Sequence, residues 1–122
     1  MRLFLFISSV SGFFSVALGA FAAHALKKHL DDYFLGVFKT GVEYQFFHSF
    51  ALALAAILLG KVDLAAFRWS GYCFAGGIVI FSGSLYLLSL TQVRAWGAVT
   101  PIGGVLFLVG WALLVVGVRQ MP

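Results

Sequence analysis

The distribution of charged side chains constrains this chain more than any other feature. Eight lysine and arginine residues and four acidic residues leave four uncharged stretches, at residues 3–26, 44–60, 69–93 and 95–118. An α-helix rises about 1.5 Å per residue, so about 20 residues cross the roughly 30 Å of bilayer hydrocarbon, and each stretch is close to that length. Because backbone polar groups in lipid must pair within their own segment, the sequence predicts an all-α integral membrane bundle of four transmembrane helices.

The composition excludes other classes of protein. Hydrophobic residues make up 62% of the chain and charged residues 10%, with a mean hydropathy of +1.05, whereas a soluble domain carries about 25% charged residues. The chain is therefore too apolar for a soluble enzyme or a disordered protein. The unbroken apolar run at residues 51–59 lacks the alternation of a membrane β-strand. The net charge of +4 includes no basic cluster larger than Lys27-Lys28, so we expect no nucleic-acid partner.

The pattern predicts one domain over residues 1–122, with helices at about residues 3–26, 32–60, 69–90 and 100–118. Polar or small residues at positions 32, 36, 39, 40 and 43 form one stripe, which indicates an amphipathic extension at the membrane interface before the second transmembrane helix. That helix would be about 43 Å long, so it either protrudes from the bilayer or bends near Gly41.

The connections and the orientation are less strongly determined. Asp31 or Asp32 is expected to cap the second helix, and residues 61–68 are expected to form a tight turn. Lysine and arginine residues are equally numerous on the two sides of such a bundle. The positive-inside rule therefore favours neither orientation.

Small residues recur at helical spacing in three of the predicted helices. Helices in lipid associate through close backbone approach, which small residues permit. These positions are therefore expected to pack helices together, inside the bundle or against another chain, and not to act in catalysis. They are Ser8, Gly12, Ser15 and Gly19 in the first helix, Gly76 and Gly83 in the third, and Gly103, Gly110 and Gly117 in the fourth.

Polar side chains within the spans are the candidate functional residues, because each costs free energy in lipid unless it is paired. They are His24, Tyr44, Gln45 and His48. The two histidines are expected at similar depths on neighbouring antiparallel helices. The group is interpreted as a proton or ligand site, as a two-histidine metal site, or as a hydrogen-bonded cluster that ties helix 1 to helix 2. Two histidines are too few for a typical zinc site, so we predict no metal and no cofactor.

Four segments resemble the signatures of a known family. They are residues 19–26, Tyr44-Gln45 with His48 and residues 51–54, residues 81–86, and residues 100–104 with Gly110-Trp111. The chain resembles the domain-of-unknown-function family 423, small bacterial membrane proteins that include the YwdK-like proteins. The resemblance implies a multi-pass inner-membrane protein with four spans. It implies no activity, because the family has no established one.

Two functions remain open. The first is a small membrane protein without catalytic activity, acting as an oligomeric or accessory membrane component, since no phosphate-binding loop, nucleophile elbow or metal-binding motif is present. The alternative is a transport-like protein that binds protons, small molecules or lipids in a polar histidine pocket between helices 1 and 2. Membrane lipids, a second copy and a larger membrane protein are the expected partners.

Overall fold

The computed structural model describes all residues from Met1 to Pro122. It is a bundle of four long helices with no strand: α1 (Arg2–His24), α2 (Asp32–Lys61), α3 (Ala65–Thr91) and α4 (Thr100–Gln120). Short 3-10 turns at Leu26–Lys28 and Arg94–Ala98 precede α2 and α4. Each of the four helices is long and apolar enough to cross a membrane. The predicted all-α membrane bundle is therefore confirmed.

The second helix is continuous. Hydrogen-bonded helix runs through all 30 residues from Asp32 to Lys61, including Gly41. The Asp31 carboxylate accepts a hydrogen bond from the Phe34 N–H at 2.8 Å and caps the helix, as expected. A Cβ added at Gly41 would lie 2.9 Å from Tyr86 Cε1. Glycine at this position therefore permits the close approach of α3 to α2.

The apolar side chains in the first turns of α2 are packed against the neighbouring helices. Phe34 packs with Leu85 and Leu88 of α3, while Leu35 and Phe38 pack with residues of α1. The polar positions of the predicted stripe face outward, with Thr40 half-buried and the others exposed. The amphipathic pattern was correctly identified, but its apolar face is covered by the neighbouring helices.

The connection between α2 and α3 is shorter than predicted. Helix α2 ends at Lys61 and α3 begins at Ala65, so Arg68 lies in the first turn of α3 and not in a turn over residues 61–68. Arg68 is exposed and donates to Asp63 at 2.5 Å, which is the one ion pair of the chain. The charges mark the membrane edge and not the end of the helix, because a helix continues into water when its charged side chains are solvated.

Helices α3 and α4 pack through a repeating pair of residues. Three of the four glycines of α4 face three phenylalanines of α3, in the pairs Gly117–Phe67, Gly110–Phe74 and Gly103–Phe81. A Cβ at Gly110 would lie 2.7 Å from Phe74 Cε1, and Phe67 and Phe74 are completely buried. Both sets recur every seven residues, so the small-residue positions of α4 are occupied inside the bundle.

The predicted small-residue positions of α3 and α1 make fewer close contacts than those of α4. On α3 the close approaches are at Gly71, against Phe4, and at Gly77, against Phe107, while Gly83 has nothing within 4 Å of an added Cβ and Gly76 meets only Leu106 at 3.6 Å. On α1, Ser8 and Ser15 are buried and Gly19 faces Val42, but Gly12 has open space beside it.

Candidate functional site

A closed hydrogen-bond cluster joins α1, α2 and α3. Gln45 Nε2 donates to the Ser11 carbonyl at 3.0 Å, and its Oε1 accepts from the Tyr86 hydroxyl at 2.5 Å. The Ser49 hydroxyl lies 2.7 Å from Ser11 Oγ, and Ser8 Oγ donates to the Ser49 carbonyl at 2.8 Å. No buried side-chain nitrogen or oxygen in the chain lacks a partner. Gln45 therefore belongs to a structural network, together with Tyr86, Ser11 and Ser49, which sequence reasoning missed.

His48 lies on the other side of α2 and faces α3 and α4. Its Nε2 accepts from Trp111 Nε1 at 3.1 Å, and its Nδ1 lies 2.8 Å from the Tyr44 carbonyl. An indole nitrogen can only donate, so Nδ1 carries the imidazole proton and donates it to Tyr44. The ring stacks on Phe107 with 3.5 Å between centroids. Both ring nitrogens of His48 are therefore hydrogen-bonded within the chain.

His24 lies far from His48. It ends α1 and is exposed, and its neighbours Ala22 and Leu26 pack on Leu35 and Phe38. Since Gly19 faces Val42, the helical rise places His24 about 16 Å from the level of His48. The expectation of equal depth was wrong because α2 packs along α1 from its first turn. The structure therefore does not bring the two histidines into one pocket.

His48 forms the floor of a groove between α2 and α4. The groove has a volume of about 490 Å³ and runs along α4 from Pro101 to Trp111. Tyr44, Phe107 and Trp111 surround the imidazole with aromatic rings. Nowhere in the chain do three or more histidine, cysteine or acidic side chains lie together as metal ligands. The groove therefore suits an apolar occupant.

A third feature is the outward face of α2, which we call the outer stripe. Its residues follow each other at alternating steps of three and four, which brings them onto one side of the helix. They are Gly36, Lys39, Glu43, Phe46, Phe50, Ala53 and Ile57, all exposed except the half-buried Ala53. Lys39 and Glu43 make no ion pair, since Arg68 and Asp63 form the only one. The outer stripe thus has a charged end and an apolar end.

The charged end of the outer stripe lies level with uncharged segments of α1 and α3. Gly41 packs against Leu85 and Tyr86 of α3, and α3 continues without a charged residue to Thr91. Gly19 of α1 faces Val42, and α1 with its following turn is uncharged as far as Leu26. On both neighbouring helices the uncharged segment therefore continues about 10 Å beyond the level of Glu43, and on α1 this segment includes the exposed His24.

Beside the apolar end of the outer stripe, α1 and α2 form a second groove. It measures about 400 Å³, has Gly12 at its floor and is flanked by Phe13, Phe46 and Phe50. A Cβ at Gly12 would meet no atom within 4 Å. This groove and the charged end of the stripe form one continuous surface on the same side of the molecule.

Comparison with known proteins identifies the family. Residues 18–104 match the family described as protein of unknown function (DUF423). The chain belongs to this family. It is 47% identical to the inner membrane protein YgdD of Escherichia coli K12, over 98% of this chain and 92% of the relative. It is also 43% identical to the membrane protein SSP2132 of Staphylococcus saprophyticus, over 96% of this chain and 97% of the relative.

These relationships agree with the fold and leave the activity open. A membrane protein of Staphylococcus aureus, SAB0533, is 39% identical over 95% of this chain and 94% of its own length. No solved structure matches the chain. The protein is a multi-pass protein of the cell inner membrane from an uncharacterised family, as the resemblance implied.

Proposed function

We propose that the protein is a non-catalytic component of a membrane assembly and packs against another membrane protein chain through the outer faces of α1 and α2. The observation that carries this proposal is the position of Glu43. Its side chain is exposed, has no ion-pair partner in the chain and lies level with uncharged segments of α1 and α3.

Lipid is a poor partner for this surface. Placing an acidic side chain in the middle of a membrane helix costs about 3 kcal/mol on insertion scales, and less near the bilayer edge. Acyl chains offer neither a hydrogen-bond donor nor a positive charge. A neighbouring helix that brings a donor or a cation to Glu43 removes this cost, so the surface suits protein better than lipid.

The groove at Gly12 gives further support. Helix association in lipid depends on close packing, and grooves lined by small residues let a neighbouring helix approach. The Gly12 groove is open, although Ser8 and Ser15 on the same helix are buried and Gly19 faces Val42. A ridge of side chains from another chain fits between the flanking rings of Phe13 and Phe50.

The hydrogen bonding inside the bundle also favours a non-catalytic role. Gln45, Ser49 and Tyr86 use their polar atoms to join helices, and His48 has both nitrogens engaged. A general base or nucleophile needs a reactive atom that faces its substrate. The internal polar groups instead stabilise the packing of the four helices, which positions the outer faces of α1 and α2.

The test is the mass of the particle after gentle extraction into nanodiscs, measured by native mass spectrometry. We expect a mass above that of the 13.2 kDa chain, from further copies or from a co-extracted membrane protein. Replacing Glu43 with lysine is expected to decrease the associated fraction. The matched control is Asp63→Lys, which changes an exposed acidic residue outside the spans. A strictly monomeric particle without any associated protein contradicts the proposal.

A second candidate function is supported by the groove at His48. It extends along α4 from Pro101 to Trp111, about 15 Å by the helical rise, which suits one acyl chain of a lipid. We expect Leu108→Trp to fill this groove and to reduce the retained lipid that native mass spectrometry detects. Val79→Trp, on an exposed face of α3 outside every groove, is the control. Equal lipid retention in both variants excludes this candidate.

A further inference from the structure

We propose that the partner at the outer stripe is a second copy of this chain, arranged in parallel about a twofold axis along the membrane normal, with Lys39 of each copy paired with Glu43 of the other. This inference rests on the proposed function and names the partner of that surface.

The charges of the outer stripe are complementary to themselves. Lys39 and Glu43 are both exposed, carry opposite charges and lie one helical turn apart, about 6 Å along the axis. Neither has an ion-pair partner within its own chain. A twofold axis along the membrane normal brings the same surface of two subunits together at equal depth, so a residue also lies beside the partner's residues one turn above and below it. Lys39 of one copy then lies diagonally across from Glu43 of the other, and the dimer contains two such ion pairs.

The spacing of the outer stripe fits such a pair. Residues at alternating steps of three and four face a parallel partner along a left-handed helix pair. Gly36 lies at the charged end, where an added Cβ meets nothing within 4 Å, so the backbones can approach there. Phe46 and Phe50 pack edge to face at the apolar end, with 5.1 Å between centroids. These rings provide the apolar contact below the ion pairs.

Other partners fit the outer stripe less well. An anionic lipid headgroup would pair with Lys39 but would be repelled by Glu43, which lies deeper on the same face. A different membrane protein would need a matching cation and anion at the same spacing. A second copy of this chain supplies both the cation, Lys39, and the anion, Glu43, at the required spacing. The two alternatives are therefore outcomes of the test and not part of the proposal.

The first experiment exchanges the charges. Lys39→Glu and Glu43→Lys are each expected to weaken dimerisation in nanodiscs or mild detergent about tenfold, which corresponds to roughly 1.4 kcal/mol. The double variant with both exchanges is expected to restore it, since the pairs are re-formed with opposite polarity. Asp63→Asn, which alters a charge outside the outer stripe, is expected to have no effect. Circular dichroism spectra of the single variants that match the unaltered protein show that they are folded.

The second experiment tests the geometry by cross-linking. In a Cys73→Ser background, Phe50→Cys is expected to form a disulfide-linked dimer on oxidation, because a parallel twofold axis brings equal positions together. Leu108→Cys lies near the same depth on α4 and is 70% exposed, so it is the matched control and is expected to remain uncross-linked. Cross-linking at Leu108 and not at Phe50 overturns the proposed surface.

The outcomes separate this inference from the proposed function. A dimer whose strength is unaffected by the single charge exchanges overturns the Lys39–Glu43 pairing but leaves self-assembly intact. A single copy that is extracted with a different membrane protein overturns the second copy as partner and leaves the proposed function standing. A bare monomer overturns both.

Discussion

The Trp111 indole donates its N–H to Nε2 of His48 across the interface between α2 and α4. This contact fixes the tautomer of the imidazole, whose other nitrogen donates to the Tyr44 carbonyl. It also links two helices that are far apart in the chain at mid-depth in the bundle. His48 and Trp111 lie in apolar helices, and the Trp111 N–H and His48 Nε2 each supply the hydrogen-bond partner that the other needs.

Trp111→Phe keeps the aromatic packing and removes only the donor to His48. We expect a loss of about 1 kcal/mol in the free energy of unfolding, since hydrogen bonds between membrane helices are individually weak. Unfolding in mixed detergent micelles, followed by circular dichroism, measures this loss. Trp69→Phe is the control because Trp69 is an exposed residue of α3. Equal stability of both variants would show that the indole–imidazole contact contributes nothing.

Gly110→Ala tests the glycine–phenylalanine packing of α3 and α4. The new Cβ would lie 2.7 Å from the buried Phe74 ring, so the helices must separate, and we expect a destabilisation of about 1–3 kcal/mol. Gly83→Ala is the matched control, because its Cβ meets nothing within 4 Å and alanine favours helix by up to about 1 kcal/mol. The same unfolding assay compares the two. Combining Gly110→Ala with Phe74→Leu should recover part of the lost stability. If Gly110→Ala changes the free energy of unfolding no more than Gly83→Ala does, the glycine–phenylalanine packing is contradicted.

The sequence was sufficient to predict the four spans, because charged residues are so rare within a membrane span that long uncharged stretches mark the spans. It was less reliable where a charge lies in a solvated helical turn, as Arg68 does at the start of α3. It also identified the glycines of α4 but not their partners Phe67, Phe74 and Phe81. Phenylalanine in an apolar helix is surrounded in sequence by residues of similar hydrophobicity, so its seven-residue spacing cannot be recognised from the sequence.

The candidate site was harder to predict than the fold. Gln45 and His48 are three residues apart, which suggested one pocket, yet they point to different neighbouring helices. The rotational position of a helix depends on tertiary packing, which a single sequence does not specify in a uniformly apolar span. The same limit applies to Gly76 and Gly83, whose seven-residue spacing placed them on one face without showing which face α4 contacts.

Tyr86→Phe tests the buried cluster between α1, α2 and α3. The variant removes the hydroxyl that donates to Gln45 Oε1, leaving a buried amide oxygen without a partner, which costs about 1–3 kcal/mol. Tyr72→Phe, on an exposed face of α3, is the control. Thermal unfolding in detergent is expected to distinguish the two variants. The double variant Tyr86→Phe/Gln45→Leu should lose less free energy of unfolding than the sum of the two single variants, because it no longer contains the unpaired amide oxygen.

Gly12→Leu separates the folding of one chain from its assembly. The groove beside Gly12 is open, so a leucine side chain is accommodated within the monomer, and the free energy of unfolding should not fall, because leucine favours helix over glycine by up to about 1 kcal/mol. The same side chain occupies the space that a partner helix would enter, so the associated fraction measured by native mass spectrometry should fall several-fold. Gly83→Leu, which also enters open space but on α3, is the control and should leave association unchanged. If Gly12→Leu associates as the unaltered protein does, the groove between α1 and α2 does not contribute to the interface, and the contact is confined to the outer stripe.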